Sequence, residues 1–166
     1  MTERQINPPE PLNLNHDVSD FQSASVDLND WLKDRAIKSE GDTARTYVVT
    51  VGNKVIAYYC LSTAIVTRSI AIRSVSRNSP DPIPAILIGR LAVDSRWTGK
   101  GIGTGLLKDA VQRILGASQI VGARVIIVEA KEGSESFYTK WDFKPSFIQP
   151  RKLMIRLEDA KKTFGL

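Results

Sequence analysis

The stretch Arg90-Leu-Ala-Val-Asp-Ser-Arg-Trp-Thr-Gly-Lys-Gly-Ile-Gly-Thr-Gly-Leu-Leu107 decides how this chain is to be read. An apolar segment, Ile86 to Val93, meets a short polar turn, and Gly99, Gly101, Gly103 and Gly105 then alternate with other residues. A helix pattern begins at once, with Leu106, Leu107, Ala110, Val111, Ile114 and Leu115 on one face. Glycines at a helix start leave backbone N–H groups uncovered by Cβ atoms, with the positive end of the helix dipole behind them. That combination is a seat for a phosphate or pyrophosphate. The expectation is an enzyme that holds a phosphorylated cofactor through main-chain atoms; the plainer alternative is a glycine-rich turn before a helix.

Two nucleotide motifs fit poorly. A Walker loop needs GxxxxGK[ST], and Lys100 is followed by Gly101. A Rossmann fingerprint needs GxGxxG near the start of a βαβ unit and an acid about 20 residues later. Here the glycines alternate strictly, lie past the middle of the chain, and Val121 to Val125 carries no acid.

Composition narrows the class further. A chain of 166 residues with 42% hydrophobic content reads as one globular domain, 1–166, able to close a core. No apolar run approaches the ~18 residues of a membrane span. The start, Thr2-Glu-Arg-Gln5, has no apolar signal core, so a cytoplasmic protein without a membrane role is expected. The lone Cys60 falls in an apolar strand pattern and reads as a buried reduced thiol. With a single histidine, His16, no metal set is expected, and His16 itself reads as a surface residue of the proline-rich start. The net charge is +5, with a pI near 9.4. That balance suits a polyanionic partner such as RNA, or simply a basic surface.

Along the chain, Pro8, Pro9 and Pro11 make the start extended and irregular. Leu28, Trp31, Leu32 and Ala36 form an i, i+3, i+4 stripe, and Gly41 ends that helix. Ala44–Val51 and Val55–Val66 read as strands of a hairpin turning at Gly52-Asn-Lys54. Thr67 to Pro84 is a long connection carrying Arg68, Arg73 and Arg77. After the strand Ala85–Val93 and the glycine helix come a buried strand, Val125–Val128, and a short helix, Ser134–Lys140. Phe143–Ile148 and Leu153–Leu157 read as closing strands. The expected order, β-α-β-β-β-α-β-α-β-β, gives one mixed α/β sheet with helices on both faces.

The segment Thr98-Gly-Lys-Gly-Ile-Gly103 resembles motif A of the GNAT N-acetyltransferases, Q/R-x-x-G-x-G/A, with Thr98 in place of Gln or Arg. The resemblance implies the GNAT fold: a single mixed, mostly antiparallel sheet with a splayed central strand pair. It implies acetyl-CoA as co-substrate, with no metal. Contacts are implied from Leu91, Ala92 and Val93 to the pantetheine arm, and from Thr98, Gly99, Lys100, Gly101, Ile102, Gly103 and Thr104 to the pyrophosphate. The thioester is then expected between Arg90–Val93 and Val125–Glu129.

Ser136-Phe-Tyr-Thr-Lys-Trp-Asp-Phe143 is similar to the family's FYxxxGF element, whose tyrosine faces the cofactor sulfur. A phenol with an ordinary pKa near 10 can protonate a departing thiolate, which makes Tyr138 the candidate catalytic acid. Asp142 stands where the family has glycine; Asp tolerates left-handed geometry, so the turn is expected to survive. Lys131 and Ser134 also depart from the family pattern. Glu129 could activate a water, but an α-amine of pKa near 7.7–8.0 needs no strong base.

A closer resemblance rests on six elements in order: Leu28-Asn-Asp-Trp-Leu32, Ala44-Arg-Thr-Tyr-Val48, Ala57-Tyr-Tyr-Cys-Leu-Ser62, Asp81-Pro-Ile-Pro84, Gly89-Arg-Leu-Ala-Val-Asp94 and Ser136-Phe-Tyr138. Together, over roughly residues 12 to 157, they resemble the TacT-like acetyltransferase toxins of type II toxin–antitoxin pairs. This resemblance implies acetylation of the α-amine of aminoacyl-tRNA, with arrest of translation. It also implies neutralisation by a ribbon-helix-helix antitoxin and repression of operator DNA by the complex. Self-association into a homodimer is a further expectation. An acceptor arm is held largely through phosphates. The candidate cations are Lys33, Arg35 and Lys38 on the first helix, and Arg73, Arg77, Arg90 and Arg96 elsewhere. The alternative is an ordinary GNAT enzyme acting on a small amine or a protein N-terminus.

Overall fold

The computed structural model describes residues 5–166; Thr2 to Arg4, used above in reading the N-terminus, lie outside that range. Seven strands form one sheet in the order β1-β2-β3-β4-β5-β7-β6. The elements are β1 (Glu10–Pro11), α1 (Val26–Asp34), α2 (Ala36–Ser39), β2 (Arg45–Val51), β3 (Lys54–Val66), α3 (Arg73–Ser76) and β4 (Ile83–Val93). They continue with α4 (Ile102–Ala117), β5 (Val125–Glu129), α5 (Glu135–Thr139), β6 (Lys144–Pro145), β7 (Lys152–Arg156) and α6 (Leu157–Phe164). The described chain divides into two compact units, residues 5–62 with 90–109, and residues 63–89 with 110–166.

In the first unit, α1 starts where the Ser25 hydroxyl accepts the Leu28 N–H at 3.3 Å, an N-cap worth about 1 kcal/mol. Its stripe Leu28 and Leu32 packs with Phe21, Val48 and Tyr58; each such side chain contributes roughly 1.5–3 kcal/mol when fully buried. The Tyr58 hydroxyl donates to the Leu28 carbonyl at 2.6 Å, anchoring the helix to β3. β2 and β3 pair antiparallel from Val51↔Lys54 to Arg45↔Leu61, with a bulge after Val49. The two-residue turn uses Gly52 at φ 61, the left-handed first position that hairpin turns favour. β1 adds to β2 through Glu10↔Val48, a pairing that the prolines around it concealed in the sequence.

In the second unit, β4 pairs parallel with β5 from Ala85↔Val125 to Ile88↔Val128, and β5 pairs antiparallel with β7. Val125, Ile126, Ile127 and Val128 are all buried, as a central strand of continuous apolar residues should be. The β4–β5 ladder ends at Ile88, while β4 itself continues to Val93.

Three expectations need correction here. The arginine-bearing connection contains the one-turn helix α3, held by Arg124: its Nε donates to the Val75 carbonyl at 2.8 Å and its Nη2 to that of Arg77 at 2.6 Å. The closing strand expected at Phe143–Ile148 shrinks to β6, because Ser146 turns the chain and accepts the Ile148 and Gln149 N–H groups. Beyond β7 the chain forms α6 instead of ending as strand. Leu157 and Ala160 make its buried stripe, and Gly165 at φ 67 closes it with paired bonds to the Lys161 and Lys162 carbonyls.

Candidate active site

The glycine turn begins with a buried carboxylate. Asp94 has 1% of its side chain exposed. It accepts the Gln22 N–H (3.0 Å), the Arg96 N–H (2.9 Å) and both Nε and Nη2 of Arg96 (2.9 Å each). These donors, Arg96 foremost, hold its pKa at about 2. The Asp94 N–H is itself fixed on the Ile56 carbonyl at 2.8 Å. A short 3-10 turn, Ser95–Trp97, follows, and Gly99 and Gly101 then take φ 77 and φ 80. The first bond of α4 runs from the Gly105 N–H to the Gly101 carbonyl at 3.0 Å. Ile102, Gly103 and Thr104 therefore occupy the first turn, whose N–H groups an α-helix leaves without internal acceptors. A Cβ placed on Gly99, Gly101 or Gly105 would meet no atom within 4 Å. The surface above these glycines is open, which is what an approaching pyrophosphate requires.

Leu91 and Val93, at the end of β4, are half-buried, and Ala92 is buried. Thr98, Gly99, Lys100 and Gly101 are exposed. The implied cofactor contacts from Leu91 to Thr104 thus form one continuous strand–turn–helix segment in the first unit.

The second feature lies in the other unit. Tyr138, on α5, is 6% exposed and packs edge-on against Phe137 and Phe143, with ring centroids 5.0 and 5.9 Å away. Burial pushes its pKa up to about 12, so the phenol keeps its proton at neutral pH. The turn after it closes with Trp141 and Phe143 N–H groups on the Tyr138 carbonyl, at 2.9 and 3.3 Å. Asp142, replacing the family glycine, adopts φ 67. Its carboxylate accepts the Thr163 hydroxyl at 2.7 Å, and the Trp141 ring stacks on Phe164 at 5.0 Å. Helix α6, unforeseen in the sequence, thereby supports the turn that positions Tyr138.

The other candidates are placed as follows. His16 departs from expectation: its side chain is only 6% exposed. Its Nδ1 accepts the Asn13 N–H at 3.0 Å, and its Nε2 lies 2.8 Å from Glu10. It organises a loop. Glu129 is exposed at the end of β5. Cys60 is buried and free, 3.5 Å from the Thr46 hydroxyl, and burial pushes its pKa to about 12; it is an inert thiol. Among the described residues no cluster of three or more His, Cys, Asp or Glu is arranged to hold a metal.

Lys33 on α1, Arg35 at the junction of the two helices and Lys38 on α2 are all exposed. Lys33 and Arg96 line one cleft of about 590 Å³. Arg96 is the clamp on Asp94 and also donates to the Asp20 carbonyl at 2.8 Å; the short spacing Asp94-Ser-Arg96, an Asx turn, was the signal for this role that the sequence offered. Arg90 places its guanidinium 4.1 Å from the Trp31 ring centroid, a cation–π contact. Arg73 and Arg77 are exposed on and beside α3 in the second unit.

The Acetyltransferase (GNAT) domain model matches residues 42–145, which include both the glycine turn and Tyr138. The chain belongs to the GNAT acetyltransferase family. This GNAT chain is 36% identical over 151 residues to the tRNA-acetylating toxin of Mycobacterium tuberculosis (strain ATCC 25618 / H37Rv), covering 90% of its own length and 91% of the relative. It superposes on AtaT complexed with acetyl-methionyl-tRNAfMet with a TM-score of 0.86 and 25% identity, covering 96% of this chain and 99% of that one. A mutant AtaT toxin bound to the C-terminus of the antitoxin AtaR and acetyl-CoA gives a TM-score of 0.82 at 23% identity, covering 98% and 99%; that likeness is one of fold. Among the described residues no helix is long and apolar enough to cross a membrane.

Proposed function

We infer that this GNAT enzyme transfers the acetyl group of acetyl-CoA to the α-amino group of aminoacyl-tRNA and so stops translation. The observation that carries the chemistry is Tyr138: a buried phenol that keeps its proton and sits on the family's FY turn. The substrate class rests on the 36% identity to a tRNA-acetylating toxin across nine tenths of both chains.

Acetyl-CoA supplies the activated acetyl group. The Thr98–Thr104 backbone is suited to hold its pyrophosphate, with the Asp94–Arg96 clamp keeping the turn in shape. The Leu91–Val93 main chain would orient its pantetheine arm. Tyr138 holds a proton at Oη for the leaving sulfur. An α-amine with pKa near 7.7–8.0 is already partly neutral at physiological pH, so the attacking group needs no dedicated base. Lys33, Arg35, Lys38, Arg73 and Arg77, all exposed, are the side chains proposed to meet tRNA phosphates, with Arg90 and Arg96 contributing whatever edge their internal contacts leave. A ribbon-helix-helix antitoxin, operator DNA bound through the complex, and a homodimer are the partners this reading proposes.

The test is incubation of the purified protein with labelled acetyl-CoA and total charged tRNA, followed by identification of the labelled aminoacyl product. Label on N-acetyl-aminoacyl-tRNA is expected, with a rate that falls steeply from low to physiological salt at subsaturating tRNA. Equal labelling of free amino acids or spermidine would assign an ordinary small-amine acetyltransferase instead.

A further inference from the structure

The β6–β7 connection carries a feature that the acetyl-transfer chemistry does not use. Phe147 is 99% exposed, and Ile148 beside it is also largely exposed. The loop presenting them is built rigidly. Ser146, buried, donates its N–H to the Lys152 carbonyl at 2.9 Å, while its hydroxyl accepts the Ile148 and Gln149 N–H groups at 3.3 and 3.2 Å. The Lys152 N–H returns to the Gln149 carbonyl at 2.9 Å. A full aromatic ring is thus held in water by a closed hydrogen-bonded loop, four residues after the turn residue Phe143.

The cavity beside it is lined by cations and no carboxylate. Its volume is about 560 Å³, and Phe147 lines it together with Ile72, Arg73, Lys144, Pro145 and Pro150. Arg73 is not on a loose loop, because Arg124 pins α3 through the Val75 and Arg77 carbonyls. A flat π-face flanked by two exposed cations suits a ligand that alternates flat bases with phosphates. A protein partner docking through apolar contact would call for a broader patch and less uniform charge.

We propose that Phe147 is a stacking platform for an unpaired base at the 3′ end of the charged tRNA, with Arg73 and Lys144 on the neighbouring phosphates. The inference rests on the aminoacyl-tRNA reading above. It adds a contact that reads the single-stranded end of the substrate instead of the helical acceptor stem.

The test compares Phe147→Ala, Phe147→Leu and Phe147→Trp in the full chain. KM is measured for charged tRNA, and Kd for uncharged tRNA and for tRNA trimmed of its unpaired 3′ nucleotides. Loss of one base–aromatic stack should raise KM and Kd by about 5- to 100-fold in the Ala variant. The Trp variant should bind like wild type, and Leu should behave like Ala, since it is apolar but has no π-face. On trimmed tRNA the wild type and the Ala variant should bind alike. Full affinity in the Leu variant would overturn stacking in favour of plain apolar contact. Unchanged tRNA binding together with lost self-association or lost antitoxin binding would assign the ring to a protein interface. Failure of the wild type to acetylate any charged tRNA sinks the functional reading, whereas wild-type activity with no effect in the Ala variant sinks only this one.

Discussion

Between Asp94 and Thr104 the chain turns its main chain outward and hides the one side chain that shapes it. Between Ser134 and Phe143 it does the reverse, burying the phenol that matters and bending the main chain around it. The difference follows from what each segment is suited to hold. A pyrophosphate is large and anionic, and is best met by many N–H groups that no Cβ shields. A proton is a single small charge, and must be kept on one atom at a controlled pKa. The glycine turn therefore draws stability from Asp94, a buried carboxylate held at about 2. The Tyr138 turn instead uses burial to keep the proton on the phenol, whose pKa it carries to about 12.

Removing the proton gives the largest expected effect. Tyr138→Phe keeps the ring against Phe137 and Phe143, so folding and acetyl-CoA binding should stay close to wild type. Steady-state kcat should fall by about 10²–10⁴-fold, the usual worth of a positioned acid. Because the pKa is raised, ionisation of Tyr138 should not depress wild-type kcat until the pH approaches 12. An alkaline limb near the ordinary phenol value of 10, or near-normal turnover in the Phe variant, would move the proton to another group.

Gly101→Val tests the other side. At φ 80 any L side chain is strained, by about 1–2 kcal/mol and more when β-branched. The new Cβ meets no protein atom within 4 Å, so the fold should survive while the ligand approach is blocked. Calorimetry should show acetyl-CoA affinity weakened by about 10- to 100-fold, and Gly101→Asn should weaken it less. Unchanged affinity in the Val variant would remove the main-chain seat from the site.

These two turns also mark where the sequence could be read and where it could not. The alternation Gly99-Lys-Gly101-Ile-Gly103 is local, and its geometry follows from backbone sterics alone. Asp142 in place of glycine was readable for the same reason, because its φ of 67 is a property of one residue. What stayed hidden depends on residues distant in the chain. Helix α6 is short, and its supporting contacts, Phe164 on Trp141 and Thr163 on Asp142, span 21 residues or more. Arg96 looked like one more surface cation, since its bond to Asp94 gains meaning only once Gln22 and Ile56 enclose that carboxylate. His16 was misjudged on the same ground: Asn13 and Glu10 cover it through a loop fold that has no periodicity to read.

Asp94→Asn should cost about 1–3 kcal/mol of stability at neutral pH, the price of a charge-assisted network missing its charge. The pH dependence has a definite sign. A carboxyl lowered from 3.8 to about 2 contributes stability above pH 4 and loses it as the pH falls through 4 towards 2. Urea unfolding should therefore show a gap between wild type and variant that is full at pH 7 and narrows below pH 4. A constant gap would mean that shape, not charge, is what Asp94 supplies to the glycine turn.

The smallest effect discriminates most finely between the two turns. At Asp142 the family's glycine would relieve left-handed strain of about 1–2 kcal/mol. The same change deletes the acceptor of the Thr163 hydroxyl, a bond worth about 1 kcal/mol where it is exposed. Asp142→Gly should thus leave stability within about 1 kcal/mol of wild type, because the two terms oppose each other. Asp142→Ala keeps the strain and loses the bond, so it should destabilise by about 1–2 kcal/mol. Thr163→Val in the wild-type background should reproduce the hydrogen-bond part alone and have no further effect once Asp142 is Gly. Thermal unfolding of the double-mutant cycle measures this directly. Additivity of Asp142→Gly and Thr163→Val would show that α6 does not support the Tyr138 turn through this bond. Support would then rest on the Trp141–Phe164 stack alone.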